Sequence, residues 1–293
     1  RIKGETADEI AVAAAVMRRH CVPVALTKKA VVLDTCGTGG DGSQTFNIST
    51  AAALVIAAAG VPVAKHGNRA ASSHAGSADV LEVLGVKIEL APLHVARCIE
   101  EIGIGFMFAR AHHPAMRHVG PVRAELGVRT LFNFLGPLSN PASASHQVIG
   151  VPEVRLLDVF ARALGRLGSE RALIVHGHGG LDEFALSGPS RIAQLADGAV
   201  RELVVTPEDF GLTTQPNADL RVRDAQESAS VIRAVLNGER GPHRDVVVLN
   251  AAAGLYVAGR AAAFDVAARL AAETLDSGAA LAKLGAWAAA TQD

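Results

Sequence analysis

An apolar run, Ala30 to Leu33, leads directly into Asp34-Thr35-Cys36-Gly37-Thr38-Gly39-Gly40-Asp41-Gly42. Four glycines within six positions, 37 to 42, resist both helix and strand and leave backbone N–H groups uncovered by side chains. A second apolar run, Val61 to Ala64, leads into Lys65-His66-Gly67-Asn68-Arg69-Ala70-Ala71-Ser72-Ser73, and the stretch between, Ser49 to Gly60, reads as an apolar helix. That is one strand–helix–strand crossover with polar groups at both strand C-terminal ends, where open α/β sheets receive ligands. Bare N–H groups on one turn and cations on the other suit a phosphorylated, multiply anionic ligand.

The rest of the chain repeats this alternation. Helices are expected over 5–20, 77–84, 92–103, 114–126, 153–167, 224–236, 261–276 and 278–289. Strands are expected over 148–151, 172–175, 192–195, 200–204 and 246–250. The fold class is therefore α/β, a mostly parallel sheet flanked by helices. The run from 92 to about 130 shows no strand pattern, so it is assigned with the N-terminal helix to a small, discontinuous helical domain. The expected division is 1–27 plus 92–128 for the small domain and 28–91 plus 129–293 for the large one.

Composition narrows the partners. A net charge of −1 argues against a general nucleic-acid or membrane-surface binder. The near-continuous apolar stretch Ala51 to Ala64 is broken by Gly60 and Pro62 and is too short to span a bilayer. The three cysteines, Cys21, Cys36 and Cys98, have no metal-ligand spacing and read as reduced thiols of a cytoplasmic protein.

Each motif has alternatives. Gly37 to Gly42 matches G-x-G-x-x-G, but a dinucleotide site wants an acid at the end of the second strand, where Lys65-His66 stands. A P-loop is excluded because no Gly-Lys-Ser/Thr follows. Asp182-Glu183, after the strand at 172–175, offers hard oxygen donors suited to Mg²⁺, or equally a helix N-terminal acid pair. His176 and His178 lack a third soft ligand, and Cys36 lacks an evident base, so neither is assigned chemistry. Within the basic stretch 112–129, Arg123 could grip a carboxylate in bidentate fashion, while several of the others read as solvated or capping.

Taken in order, several segments resemble the anthranilate phosphoribosyltransferase family of tryptophan biosynthesis. They are Asp34–Gly42, Asn47–Thr50, Lys65–Ser73, Gly76–Gly85, His113–His118, Arg129–Pro141, Gly180–Glu183 and Asn250–Val257, and they cover nearly the whole chain. The resemblance implies a nucleoside phosphorylase/phosphoribosyltransferase-like fold with substrates held between a small helical and a large α/β domain. It implies a phosphoribosyl pyrophosphate site at Gly37, Gly40, Asp41, Thr45, Asn47, Ile48, Ser49, Thr50, Lys65, His66, Gly67, Asn68, Arg69, Ala70, Ala71, Ser72, Ser73 and Ser77. Gly37, Asn68 and Arg123 would contact anthranilate, and Ser49, Asp182 and Glu183 would hold Mg²⁺. No covalent nucleophile or acid/base residue is implied. The family pattern also has a pair of helices ahead of Lys3-Gly4-Glu5-Thr6, so a homodimer is expected of the full-length protein; and it commonly has Lys where His74 stands. The alternatives are a pyrimidine nucleoside phosphorylase-like enzyme, a non-catalytic phosphoribosyl-ligand sensor and, more remotely, an NADP-linked oxidoreductase.

Overall fold

The computed structural model describes residues 3–27, 31–70, 74–215 and 220–292. Its frame is a seven-stranded sheet of β1 (Leu33–Gly37), β2 (Val63–Gly67), β3 (Ile104–Phe108), β4 (His146–Gly150), β5 (Arg171–His176), β6 (Ser190–Ala196) and β7 (Ala199–Val205), in the order β3-β2-β1-β4-β5-β6-β7. The first five run parallel, and β6 and β7 close one edge as an antiparallel hairpin. The chain winds outward from β1 through β2 to β3, then returns to the other side of β1 with β4. The crevice outside the C-terminal ends of β1 and β4 is therefore the topological switch point.

Twelve α-helices accompany the sheet among the described residues: α1 (Ala7–Arg19), α2 (Ile48–Ala58), α3 (Ser77–Val83), α4 (Pro92–Arg97), α5 (Ala109–His112), α6 (Gly120–Leu126), α7 (Phe132–Leu135), α8 (Leu156–Arg166), α9 (Ala225–Leu236), α10 (Pro242–Val257), α11 (Phe264–Asp276) and α12 (Ala279–Ala290). Two apolar layers form because successive strand residues point to opposite faces. Leu173 and Val175 enter the core under α2, α9, α10 and α12, whereas Ala172 and Ile174 enter the one under α1, α7 and α8. Each fully buried Leu or Ile contributes about 1.5–3 kcal/mol, and α2 is buried from Thr50 through Ala57. Thr6 opens α1 with a capping box closed by Glu9.

Three expectations are corrected. The run 92–130 does contain a strand, β3, paired with β2 along its whole length. All five of its residues are buried, so no alternation betrays it. A π-helical turn over Cys98–Ile102 and Gly103, at φ +87°, separate it from α4. Residues 246–250 are not a strand but the middle of α10. Val246 to Val248 favour a strand locally, but Pro242 starts a helix and Gly254 lets it lie against Leu33 and Ile56. Finally, β1 and β2 begin later than expected and reach Gly37 and Gly67, so Asp34 to Cys36, Lys65 and His66 are strand residues rather than turn residues.

The close approach at Gly254 is testable. Gly254→Ala places a methyl group against the Ile56 side chain and should lower stability by about 1–3 kcal/mol, read as a reduced urea midpoint; an unchanged midpoint would show that the helix yields freely.

Candidate active site

The site begins with two glycines. A Cβ on Gly37, the last residue of β1, would overlap the Asp182 carboxylate, and one on Gly150, the last residue of β4, would overlap the Asp182 carbonyl. The loop after β5 therefore lies directly on the two strand tips at the switch point. Asp182 accepts a hydrogen bond from Gly39 N–H at 2.8 Å, and its own N–H donates to Asp41 at 3.4 Å. The glycine loop and the acid pair are thus joined without an intermediary.

The basic element approaches from the other side. Lys65 is buried in β2, and its ammonium donates to the Thr35 carbonyl and, at 3.2 Å, to Ser49 Oγ. Ser49 lies in the first turn of α2, and its N–H donates to Glu183. Asp34, wholly buried, accepts from His66 N–H at 3.1 Å and from Asn140 Nδ2 at 2.8 Å. Burial, opposed by Lys65, raises the Asp34 carboxyl to about 6. Burial lowers the Lys65 ammonium against the pull of Asp34, Cys36 and Glu183. Withdrawal from water and then repulsion from Asp41 raise Asp182 to about 7; withdrawal and then repulsion from Asp182 raise Glu183 to about 8. Oxygen donors that resist joint ionisation are the donor set that a divalent cation relieves, so Ser49, Asp182 and Glu183 fit Mg²⁺. No group of three or more His, Cys, Asp or Glu side chains forms a ligand cage among the described residues.

Gly37 also opens onto a cleft of about 800 Å³ whose lining includes Asn68, His113, Met116, Arg123 and Phe132. Gly37, Asn68 and Arg123, expected to meet one substrate, therefore share one cavity. His66 and His113 form part of its wall, with ring centroids 5.0 Å apart. His66 Nδ1 donates to the Gly136 carbonyl at 3.0 Å. Burial and then the neighbouring imidazoles push His66 down to about 3 and His113 to about 4, so both rings are neutral. His66 is accordingly not one of the cations that its sequence position suggests.

Several other expected residues are engaged within the protein. Arg69 forms ion pairs with Asp79 at 2.9 Å and Glu82 at 2.6 Å, and Ala70 N–H donates to Asp79. Asn47 exchanges hydrogen bonds with Ser228 and donates to the Ala75 carbonyl. Thr45 forms an isolated bridge with Arg221, Ile48 and Thr50 are buried, and Ser77 donates to the Asn68 carbonyl at 3.4 Å. Gly67 gives Ser77 and Phe106 room to approach β2. Ala71, Ser72 and Ser73 lie outside the described residues. His74 donates to the Val222 carbonyl at 3.0 Å. Sequence reasoning missed Asn140, Gly150 and the role of Asp34. The Asn-Pro that ends the 129–141 segment was visible, but nothing local shows that Asn140 reaches β1. His176 and His178 bind separate partners, Val151 O and Ser187 Oγ, and burial pushes the Cys36 thiol up.

Residues 29–281 match the model of the glycosyl transferase family, a/b domain. The chain is 55% identical over 285 residues to the anthranilate phosphoribosyltransferase of Rubrobacter xylanophilus, covering 97% of this chain and 83% of that protein. The crystal structure of the Thermus thermophilus anthranilate phosphoribosyltransferase superposes with a TM-score of 0.94 at 48% identity, covering 100% of this chain and 87% of that one. The Saccharomyces cerevisiae anthranilate phosphoribosyltransferase, in complex with phosphoribosyl pyrophosphate and Mg, gives 0.90 at 30% identity, covering 98% and 80%. The chain belongs to the anthranilate phosphoribosyltransferase family. These relatives lend no support to the phosphorylase alternative.

The neutral imidazoles give a pH test. A ring held at about 4 when folded but near its ordinary 6.5 when unfolded binds fewer protons in the folded state across that window, so acid favours unfolding. Asp34, raised from 3.8 to about 6, acts oppositely: across its window acid favours the folded state. His113→Gln removes one imidazole and should make the melting temperature fall less steeply from pH 6.5 towards 4; an unchanged slope would remove His113 from the acid response.

Proposed function

We propose that this protein transfers the phosphoribosyl group of 5-phosphoribosyl 1-pyrophosphate to the amine of anthranilate, giving N-(5-phosphoribosyl)anthranilate and pyrophosphate. The observation that carries this reading is the position of Gly37. It begins the glycine loop, adjoins Asp182 and lines the cleft that holds Asn68 and Arg123. A donor on the loop and an acceptor in the cleft would meet there.

Arylamines are neutral at pH 7, so the acceptor lone pair is free without a strong base. The harder demand is charge on the departing pyrophosphate and on an oxocarbenium-like sugar. Mg²⁺, held by Ser49, Asp182 and Glu183, supplies electrostatic stabilisation of the pyrophosphate. The loop adds the N–H groups of Gly40, Asp41 and Gly42, which have no protein acceptor among the described residues. Arg123 binds the anthranilate carboxylate, Asn68 orients the ring, and Phe132, Met116 and Pro137 give the cleft apolar walls.

The two-domain division is proposed with one adjustment. Residues 92–108 go with the large domain, because α4 packs on β3 and the π-helical turn packs on α12. A homodimer of the full-length protein is supported by exposed Val12 and Val16 on α1 and Val122 and Leu126 on α6. Three free cysteines suit the reducing cytoplasm, and among the described residues no helix is long and apolar enough to cross a membrane.

A fluorescence assay of anthranilate consumption with phosphoribosyl pyrophosphate and Mg²⁺ tests the reaction; no consumption would refute it. Arg123→Ala removes a charge-assisted contact worth about 1.5–3 kcal/mol and should raise the KM for anthranilate about 10- to 100-fold, with little change in that for the sugar donor. Equal effects on both would refute the carboxylate role. Asp182→Asn combined with Glu183→Gln should abolish saturation by Mg²⁺; an unchanged metal titration would remove both residues from the site.

A further inference from the structure

Arg129 ends the basic stretch and opens the 129–141 segment, and its guanidinium lies against the glycine loop. It donates from Nη2 to the Gly39 carbonyl at 2.9 Å and from Nη1 to the Gly40 carbonyl at 3.5 Å. A Cβ at Gly40 would overlap this guanidinium, so the loop and the arginine fit each other only with glycine there. Phe134 supports the cation from behind, with its ring centroid 5.9 Å from Cζ.

The geometry has a directional consequence. A trans peptide unit sets its C=O and N–H antiparallel. Turning the carbonyls of Gly39 and Gly40 towards Arg129 turns the N–H groups of Gly40 and Asp41 the opposite way. Among the described residues, the N–H groups of Gly40, Asp41 and Gly42 have no protein acceptor. Asp182 fixes the loop at Gly39 N–H, and Arg129 fixes the next two peptide units through their carbonyls.

We propose that Arg129 is a positioning residue for donor binding: it holds the two carbonyls of the 39–40 turn so that the adjoining N–H groups stand ready for pyrophosphate oxygens. The inference rests on the transfer reaction proposed above. A planar fork that bridges two acceptors explains an arginine here better than a lysine, which offers a single ammonium.

The test is calorimetric titration of pyrophosphate with Mg²⁺, alongside steady-state kinetics. Arg129→Ala should weaken pyrophosphate binding and lower kcat/KM for the sugar donor on the order of 10²-fold, leaving the KM for anthranilate within about threefold. Arg129 forms one wall of a cavity of about 400 Å³, so small ions can reach its place. Millimolar guanidinium chloride should restore much of the lost affinity to the alanine variant, and methylammonium should not. Native affinity in Arg129→Ala, or a loss that guanidinium does not recover in a variant with native melting temperature, would overturn the role. If the alanine variant does not fold, Arg129→Lys replaces it: weakened binding is expected, and native affinity would overturn the bridging of two carbonyls. Wild-type protein that binds pyrophosphate but forms no product would refute the reaction alone. Failure of the wild type to bind pyrophosphate would refute both.

Discussion

Everything at this site depends on one steric permission. The loop after β5 can lie on the ends of β1 and β4 only because neither strand ends in a residue with a Cβ. At that spot Asp182 reaches Gly39 with its carboxylate and Asp41 with its backbone. The switch point of the sheet is where parallel folds leave a crevice. Here the crevice is partly filled by an acid-bearing loop, which turns a topological feature into a charged one.

The electrostatics follow from depth. Carrying one ion out of water costs several kcal/mol, and removing one partner of a buried pair leaves the other uncompensated. Lys65 is buried, donates to Thr35 O and Ser49 Oγ, and feels the charges of Asp34 and Glu183, so its charge is shared rather than isolated. Asp34 in turn takes up the N–H of His66 and the amide of Asn140, which ties β1 to β2 and to the segment before β4. The lysine that sequence suggested for direct phosphate contact is first of all a member of this internal network. Arg69 shows the same economy, held by Asp79 and Glu82 on α3.

The sequence made the central crossover, the parallel sheet and the acid pair readable, because each depends on local signals: apolar runs, glycine clusters and adjacent carboxylates. What escaped it depends on distant parts. β3 is uniformly buried and lacks the alternation of a half-exposed strand. The valines of α10 favour a strand until Gly254, which follows them, is seen lying against Ile56 of α2 and Leu33 of β1. Arg129 and Asn140 meet partners 90 and 106 residues away in the chain, Gly150 meets Asp182, and no spacing rule reports which group will meet which. The strand ends were misplaced because Asp34, Lys65 and His66 look like turn residues, whereas a buried network makes them strand residues.

The acceptor cleft and the acid pair adjoin at Gly37, a residue with no side chain to mutate into new chemistry. Met116, Phe132 and Pro137 wall the cleft, while Ser49, Asp182 and Glu183 stand over the strand ends at the switch point in another network. In the proposed reaction, recognition of the nucleophile and activation of the leaving group would therefore fall to separate groups of residues. Ring-shaped acceptors of altered size could be accommodated by redrawing one wall, with the machinery that loosens the sugar bond left intact.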